Sequence, residues 1–401
     1  STEKPLLGGV LREGAVGAPS FINPILASSD LDQDISFLVY AGLMRPEGRG
    51  GLKLELARDY NISENSLEHT FYLKENLRWQ DGKPLTAEDV VFTINSLKNP
   101  ELKSPFRPNW EGVEVAAPDK KTVKFILKRP YEPFIETATL GILPRHILEK
   151  IPVSQWRLMS FNLKPIGAGP YKIKRIVKDS SGIILAYYLT ANKDYPLDGP
   201  YLKNIVLKIY PSESKLMDAF SKKEIESFGG VSPLNIDKTK LKQSGVKVLS
   251  LPRIFALFFN QNKAAILADK EVRRALEKAV NRERIVNEVF GGWAKAANGP
   301  LPDSESVPEQ RIEEAADILK KAGFKLNEKT GILEKKTAKK AVLEISFSIT
   351  TCDCPELVKI AEIMQEDWKK LGVKSEIKIF EPGNLNQNVI RTRNYEALLF
   401  G

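Results

Sequence analysis

Two cysteines, two histidines and a set of loop aromatics are the residues of this 401-residue chain whose types and spacing could do chemistry. Cys352-Asp353-Cys354 places two thiols at i and i+2, a spacing that rarely has the geometry of an unstrained disulfide. Two thiolates also fall short of the four ligands of a structural zinc site. The pair is therefore expected to be two free cysteines at a strand-to-helix junction. His69 and His146 are the only histidines and leave little for a His-rich metal site or a His-dependent hydrolase. Gly167-x-Gly169 lacks the third glycine and the following helix of a dinucleotide fingerprint, so Gly167, Gly169 and Pro170 read as turn formers. There is no G-x-x-x-x-G-K-[ST], no H-E-x-x-H and no G-x-S-x-G in the chain. No catalytic residue, metal site or cofactor is expected, and binding fits the residues better than catalysis. Phe106 and Trp110, within Ser104-Pro-Phe-Arg-Pro-Asn-Trp110, and Trp293 after Gly291-Gly292 sit in loops beside Pro, Gly or Asn. Such positions suit a pocket wall, although any one aromatic also suits a core. Trp79, ahead of Asp81-Gly82, reads as structural.

The elements that would position these residues follow from periodicity. A first strand around Val10-Leu11 leads into a loop through Gly14, Gly17, Pro19 and Pro24. Residues 52–130 are β-like, with Leu67, His69, Phe71 and Leu73 alternating, as do Val123, Phe125 and Leu127. Thr86-Ala-Glu-Asp89 is a capping box that opens a helix through Val90, Val91 and Ile94. Further strands are expected near 183–189 and 205–210. The second half turns α/β. Val272, Ala275, Leu276 and Ala279 predict one amphipathic helix over 270–290. Ile312, Ala315, Ala316 and Leu319 predict another, stopped by Gly323. A strand through Leu343–Ile349, a helix from Pro355 to Leu371 and a strand through Val373–Ile379 make a βαβ unit, expected to be parallel.

Composition narrows the class. With 42% hydrophobic and 28% charged residues the chain is an ordinary folded protein. No apolar run approaches the ~20 residues of a membrane span. The formal charge of +9 is spread, and segment 311–340 interleaves nine Lys/Arg with five Asp/Glu, the pattern of a solvated face. Nucleic acid is not an expected partner. The chain starts at Ser1, so an upstream segment is expected to have been removed.

Four segments in order resemble the extracellular solute-binding proteins of peptide and nickel ABC importers, the oligopeptide- and dipeptide-binding type. They are Trp79-Gln-Asp-Gly-Lys-Pro-Leu-Thr-Ala-Glu-Asp-Val-Val-Phe92 and Pro165-Ile-Gly-Ala-Gly-Pro-Tyr171, where Ala168 replaces the family's usual Thr. Asn260 with Asp269–Leu276 and Ala279–Arg282 is the third, and Pro300-Leu-Pro302 with Glu314-Ala-Ala and Leu319–Gly323 is the fourth. The resemblance implies an α/β, two-lobe, periplasmic-binding-protein-like (type II) fold with an extra subdomain in lobe one. Lobe one would comprise 1–30 and 161–252, the extra subdomain 31–160, and lobe two 253–401. It also implies a monomer outside the cytoplasm, in the periplasm or at the cell surface, that captures a peptide by hinge closure and hands it to the membrane subunits of a permease.

By position, the resemblance implies ligand contacts at Ala18, Pro19, Phe106, Asn109, Phe258, Asn260 and Gly401, and the loop aromatics Trp110 and Trp293 join them as expected pocket walls. Arg391 and Arg393 would pair with a peptide carboxylate. Asn260 has a second reading, as a residue that satisfies backbone groups at the hinge. In the family an amine-anchoring Asp follows the strand that here is Tyr395–Gly401, so the chain is expected to stop short of that anchor. The alternative solutes are a nickel chelate or an oligosaccharide on the same fold. A hydrolase or transferase built on a similar lobe pair is the competing class.

Overall fold

The computed structural model describes residues 6–48, 51–236, 245, 254–297, 299, 309–336, 341–381 and 384–401. Two compact units result, Ser1–Gly230 and Val231–Gly401. The expected boundary at 252/253 and the Pro300-Leu-Pro302 segment lie outside the described residues.

In the first unit, β1 (Gly8–Val16) leads to helix α1 (Asp30–Val39), and a hairpin follows from β2 (Met44–Glu47) and β3 (Gly51–Leu54). Next come β4 (Ala57–Ile62), β5 (Glu68–Leu73), α2 (Ala87–Lys98), β6 (Glu114–Asp119) and β7 (Thr122–Ile126). Short helices α3 (Phe134–Thr137) and α4 (Arg145–Leu148) precede β8 (Tyr171–Lys178), β9 (Ile184–Ala191) and β10 (Leu202–Tyr210). Helix α5 (Glu213–Ser221) and β11 (Ser227–Phe228) close the unit. Two sheets organise it, β11-β1-β10-β9-β8 and an antiparallel β4-β5-β7-β6. One apolar core joins them, running from Ile22 through Phe71 and Phe125 to Ile209.

The first strand is longer than the sequence pattern suggests, because Gly14 lies inside β1 rather than in the loop. A Cβ there would stand 2.4 Å from Ile225 Cδ1, so glycine serves packing under α5 and β11. The loop after β1 is fixed by side chains. Asp32 accepts from the Ser20 N–H at 2.9 Å, and Asn23 Oδ1 from the Ile25 N–H at 3.1 Å. The capping box forms as expected. Asp89 accepts from the Thr86 N–H at 2.8 Å, and its other oxygen accepts from the Arg145 N–H at 3.1 Å.

The chain bends at 168–170, as expected, but with no positive φ at Gly167 or Gly169, so it is not the turn that requires these glycines. They are sites of close approach. A Cβ on Gly167 would lie 2.0 Å from the Val39 carbonyl oxygen, and one on Gly169 2.5 Å from that of Tyr40. The Gly169 N–H donates to Val39 O at 2.8 Å, which caps the C-terminal end of α1. Gln80 clamps the same place. Its amide donates to Val39 O at 3.2 Å and Tyr171 O at 2.8 Å, while its oxygen accepts from the Gly167 N–H at 3.2 Å. The Trp79–Phe92 and Pro165–Tyr171 segments thus meet on α1.

The second unit contains β12 (Ala256–Phe259), α6 (Ala265–Ala268), α7 (Lys270–Ala279), α8 (Arg282–Phe290) and α9 (Ile312–Lys321). Then come β13 (Lys325–Leu326), β14 (Leu333–Lys336), β15 (Val342–Glu344), β16 (Ser346–Cys352), α10 (Pro355–Lys369), β17 (Lys374–Phe380) and β18 (Ala397–Phe400). The main sheet runs β12-β18-β16-β17. β16 pairs in parallel with both β17 and β18, as the βαβ reading requires, and β12 pairs antiparallel with β18.

Three expectations change here. The helix over 270–290 is two helices, because Val280 turns extended and Asn281 caps α8 by accepting from the Arg284 N–H at 2.8 Å. The strand through 343–349 is also two. Ile345 donates its N–H to Leu333 O and accepts from the Lys374 N–H between β15 and β16. Cys352 and Cys354 are not free but bonded to each other, with Cα atoms 5.3 Å apart. The chain leaves β16 and swings into the helix with Cys354 in an extended conformation as N-cap, which brings the two Cβ vectors together.

Replacing Gly167 by Ala is expected to cost about 3 kcal/mol or more, since backbone rather than a flexible side chain must yield. Urea titration of the variant against the parent measures it, and an unchanged midpoint would contradict the close-approach reading.

Candidate functional site

A cavity of about 880 Å³ opens within the first unit. Helix α1 supplies one wall. Leu31, Ile35 and Val39 are buried in the core, whereas Gln33, Ser36, Phe37 and Tyr40, spaced i, i+3, i+4 and i+7, line the cavity. The facing wall comes from Phe106–Val113 and from the chain between β7 and α3, including Tyr131 and Phe134. Phe37 and Tyr131 are 45% and 54% exposed, large apolar rings left open to solvent at this place. The lining carries three cationic side chains, Arg45, Lys128 and Arg129, and three carboxylates, Glu55, Glu111 and Glu136.

Glu55 anchors the floor. It is buried, and its Oε1 accepts from Arg45 Nη1 at 2.8 Å and from the Tyr195 hydroxyl at 2.6 Å. Its Oε2 accepts from the Gly42 N–H at 2.9 Å. Three donors repay the desolvation of this carboxylate. Arg45 in turn lies over the Phe37 ring, 3.8 Å from its centroid, and so holds that ring at the cavity mouth. Burial, with the Glu55 charge second, pushes the Tyr195 phenol above its ordinary value, and burial alone does the same to Tyr40.

Of the residues expected from sequence, Phe106, Asn109 and Trp110 come together here. Phe106 is half-buried and Asn109 exposed. Trp110 is a core residue as well as a wall, its ring edge-on to Phe134 at 5.5 Å. Ala18 and Pro19 do not line this cavity. Ala18 is exposed and Pro19 half-buried on the loop that Asp32 pins.

The other expected residues belong to the second unit. Phe258 lies on β12 opposite Leu398 and is 52% exposed. Asn260 ends that strand. Its N–H donates to Glu396 O at 2.8 Å, its side-chain amide to Arg393 O at 3.0 Å, and its Oδ1 accepts from the Asn262 N–H at 3.2 Å. These bonds occupy it with backbone groups. Arg391 and Arg393 are both exposed on the turn before β18. Arg393 has a φ of 51°. Trp293 follows the left-handed Gly291 at the end of α8 and is half-buried. Gly401 packs so closely that a Cβ would meet Phe255 Cδ1 at 2.4 Å.

Phe37, Tyr131 and the Glu55 cluster were not legible in the sequence. The stripe of α1 that carries Phe37 has a signal, the i, i+3, i+4, i+7 spacing opposite the buried Leu31, Ile35 and Val39. The Glu55 cluster joins positions 13 and 140 residues apart and has none.

Residues 51–401 match the family model described as bacterial extracellular solute-binding proteins, family 5. The chain belongs to this family. The oligopeptide-binding protein AppA of Bacillus subtilis is 31% identical over 396 residues, which cover 95% of this chain and 71% of that protein. Its structure in complex with a nonapeptide superposes with a TM-score of 0.75 at 28% identity, covering 99% of this chain and 80% of that one. NikZ of Campylobacter jejuni, solved in complex with Ni(L-His), gives a TM-score of 0.75 at 29% identity over 98% of this chain and 76% of that one. The fold is the α/β, periplasmic-binding-protein-like class II fold with extra sheet subdomains. The protein is a non-catalytic, extracytoplasmic solute-binding component that serves the membrane subunits of an ABC importer.

Two phenols, Tyr40 in the cavity lining and Tyr195 bonded to Glu55 behind it, give the first unit an alkaline limit. Both keep their protons longer folded than unfolded. The stability they confer is therefore complete below about pH 10, the ordinary tyrosine value, and is lost as the pH rises beyond it. Denaturant midpoints measured across that range should fall, and Tyr195→Phe should flatten part of the fall. An equal fall in the variant would sever Tyr195 from it.

Proposed function

We propose that this solute-binding protein captures peptides, encloses them by closure of its lobes and releases them to its permease. The single observation that carries the peptide reading is the 31% identity to an oligopeptide-binding protein along 95% of the chain. The likeness to that protein's structure with a bound nonapeptide supports it. The cavity of the first unit also supports it. Its volume is that of a ligand pocket, its walls are aromatic, and its lining charges balance, so it suits side chains of varied identity. Lobe one is proposed to comprise 1–30 and 161–252 with the extra subdomain at 31–160, and lobe two 253–401. Ligand contacts are proposed at Ala18, Pro19, Phe106, Asn109, Trp110, Phe258, Asn260, Trp293, Arg391, Arg393 and Gly401, joined by Phe37.

A second solute class, a metal chelate, has its own support in the likeness to NikZ with bound Ni(L-His). Mass spectrometry of the material released when host-purified protein is denatured separates the two. Short peptides of mixed sequence are expected, and recovery of one chelate or one sugar would overturn the peptide reading. Phe37→Ala and Phe106→Ala should each weaken peptide affinity about tenfold, the scale of an aromatic contact residue, with the melting midpoint nearly unchanged. Unaltered calorimetric affinity in both variants would remove the cavity from the ligand path.

A further inference from the structure

The Cys352–Cys354 bond takes no part in the functions above, and its placement is unusual for a structural bridge. It spans a sequence separation of 2 and ties the end of β16 to the N-cap of α10, two points already held together. Cys352 stands in the β16–β17 ladder opposite Phe380, the Asp353 N–H donates to Phe380 O at 2.7 Å, and Cys354 O accepts the first helical bond, from Val358 N–H. The stabilisation expected from a cross-link grows with the length of the loop it closes, and this loop is nearly the shortest available. Among the described residues, no distant element is tied down by the bridge.

Its surroundings suit reversible chemistry instead. Cys354 caps a helix of 15 residues, and the positive end of that helix favours a thiolate. Asp353 is exposed and Glu356 lies in the first turn, and their negative charge opposes the thiolate and favours the closed bridge at rest. Cys352 is 3% exposed whereas Cys354 is only half-buried, so the two sulfurs differ in access. The pair also sits at the carboxyl end of β16, beside the carboxyl ends of the parallel strands β17 and β18, the edge at which open α/β sheets hold their ligands.

We infer that Cys352–Cys354 is a thiol–disulfide exchange site for a dithiol reductant. A thiolate of the dithiol attacks Cys354 Sγ. A mixed disulfide forms, the Cys352–Cys354 bond breaks, and its electron pair stays on Cys352 Sγ, which takes a proton from solvent. The second thiol of the reductant loses its proton and attacks its own sulfur in the mixed disulfide, expelling the Cys354 thiolate at the helix N-terminus. The reductant leaves as a disulfide, oxidised by two electrons, and the protein pair is reduced by two. The fold is untouched because nothing else hangs on the bond.

The full chain, kept folded without denaturant, is incubated with dithiothreitol, and new thiols are counted by the mass added on maleimide labelling. Two labels are expected, oxidised glutathione should close the bridge again once the dithiol is removed, and the melting midpoint should move by less than about 3 °C. Labelling only in denaturant, or a fall of about 10 °C or more on reduction, would make the bond a structural staple and overturn the inference. Cys352→Ser should leave a thiol at Cys354 that alkylates at least about tenfold faster than the thiol left by Cys354→Ser. Equal rates would overturn the assignment of Cys354 as the point of attack. The double variant Cys352→Ser/Cys354→Ser should melt with the oxidised parent, and failure to fold would again mark a staple.

Discussion

The carbonyl end of α1 is where the first unit is decided. Four carbonyls at the C-terminus of any helix lack partners within it. Here the Val39 carbonyl is met by the Gly169 N–H and by the Gln80 amide. That contact is available only because Gly167 and Gly169 carry no Cβ. It fixes the direction of α1, and with it the stripe from Gln33 to Tyr40 that walls the cavity. It also sets Gln80 against the turn before β8. The Trp79–Phe92 and Pro165–Tyr171 stretches are therefore two halves of one backbone contact.

A single core under both sheets has a mechanical consequence for the cavity. Trp110 and Phe134 touch the cavity and also pack on Phe125 in the core. Movement of the wall is thereby opposed by dense packing. The charged groups follow the same rule, since Glu55 ties the Gly42–Arg45 stretch to the distant Tyr195. The site is preorganised on its floor, while its mouth carries the exposed Phe37 and Tyr131 rings.

Much of this was legible in the sequence, for physical reasons. The capping box at Thr86–Asp89 and the βαβ unit at 343–380 are local patterns, and local patterns survive folding. The split at Val280–Asn281 was missed because the apolar spacing of α7 ends in a good helix N-cap that the periodicity of the whole stretch hides. The glycines of 167–169 read from the sequence as turn formers, and the chain does bend there, but the close approach to α1 that demands glycine leaves no local signature. The Cys352–Cys354 bond was missed because the local bend of a strand running into a helix, not the spacing, decides the geometry. Glu55 and its partners could not be found at all, because their meeting depends on the completed fold.

Strand order in the second unit bears on how the chain is made. β18 is later in sequence than β12, β16 and β17, yet it lies between β12 and β16. Among the described residues β12 pairs with β18 alone, so its pairing waits on residues 397–400. At ribosomal rates of about 5–20 residues per second, the intervening chain takes several seconds or more to emerge. During that interval β12 presents Leu257, Phe258 and Phe259 on an unpaired edge, the arrangement most open to pairing with another chain. The β12–β18 pairing is thus a late, non-local contact, and the edge of β12 stays open to other chains until it forms.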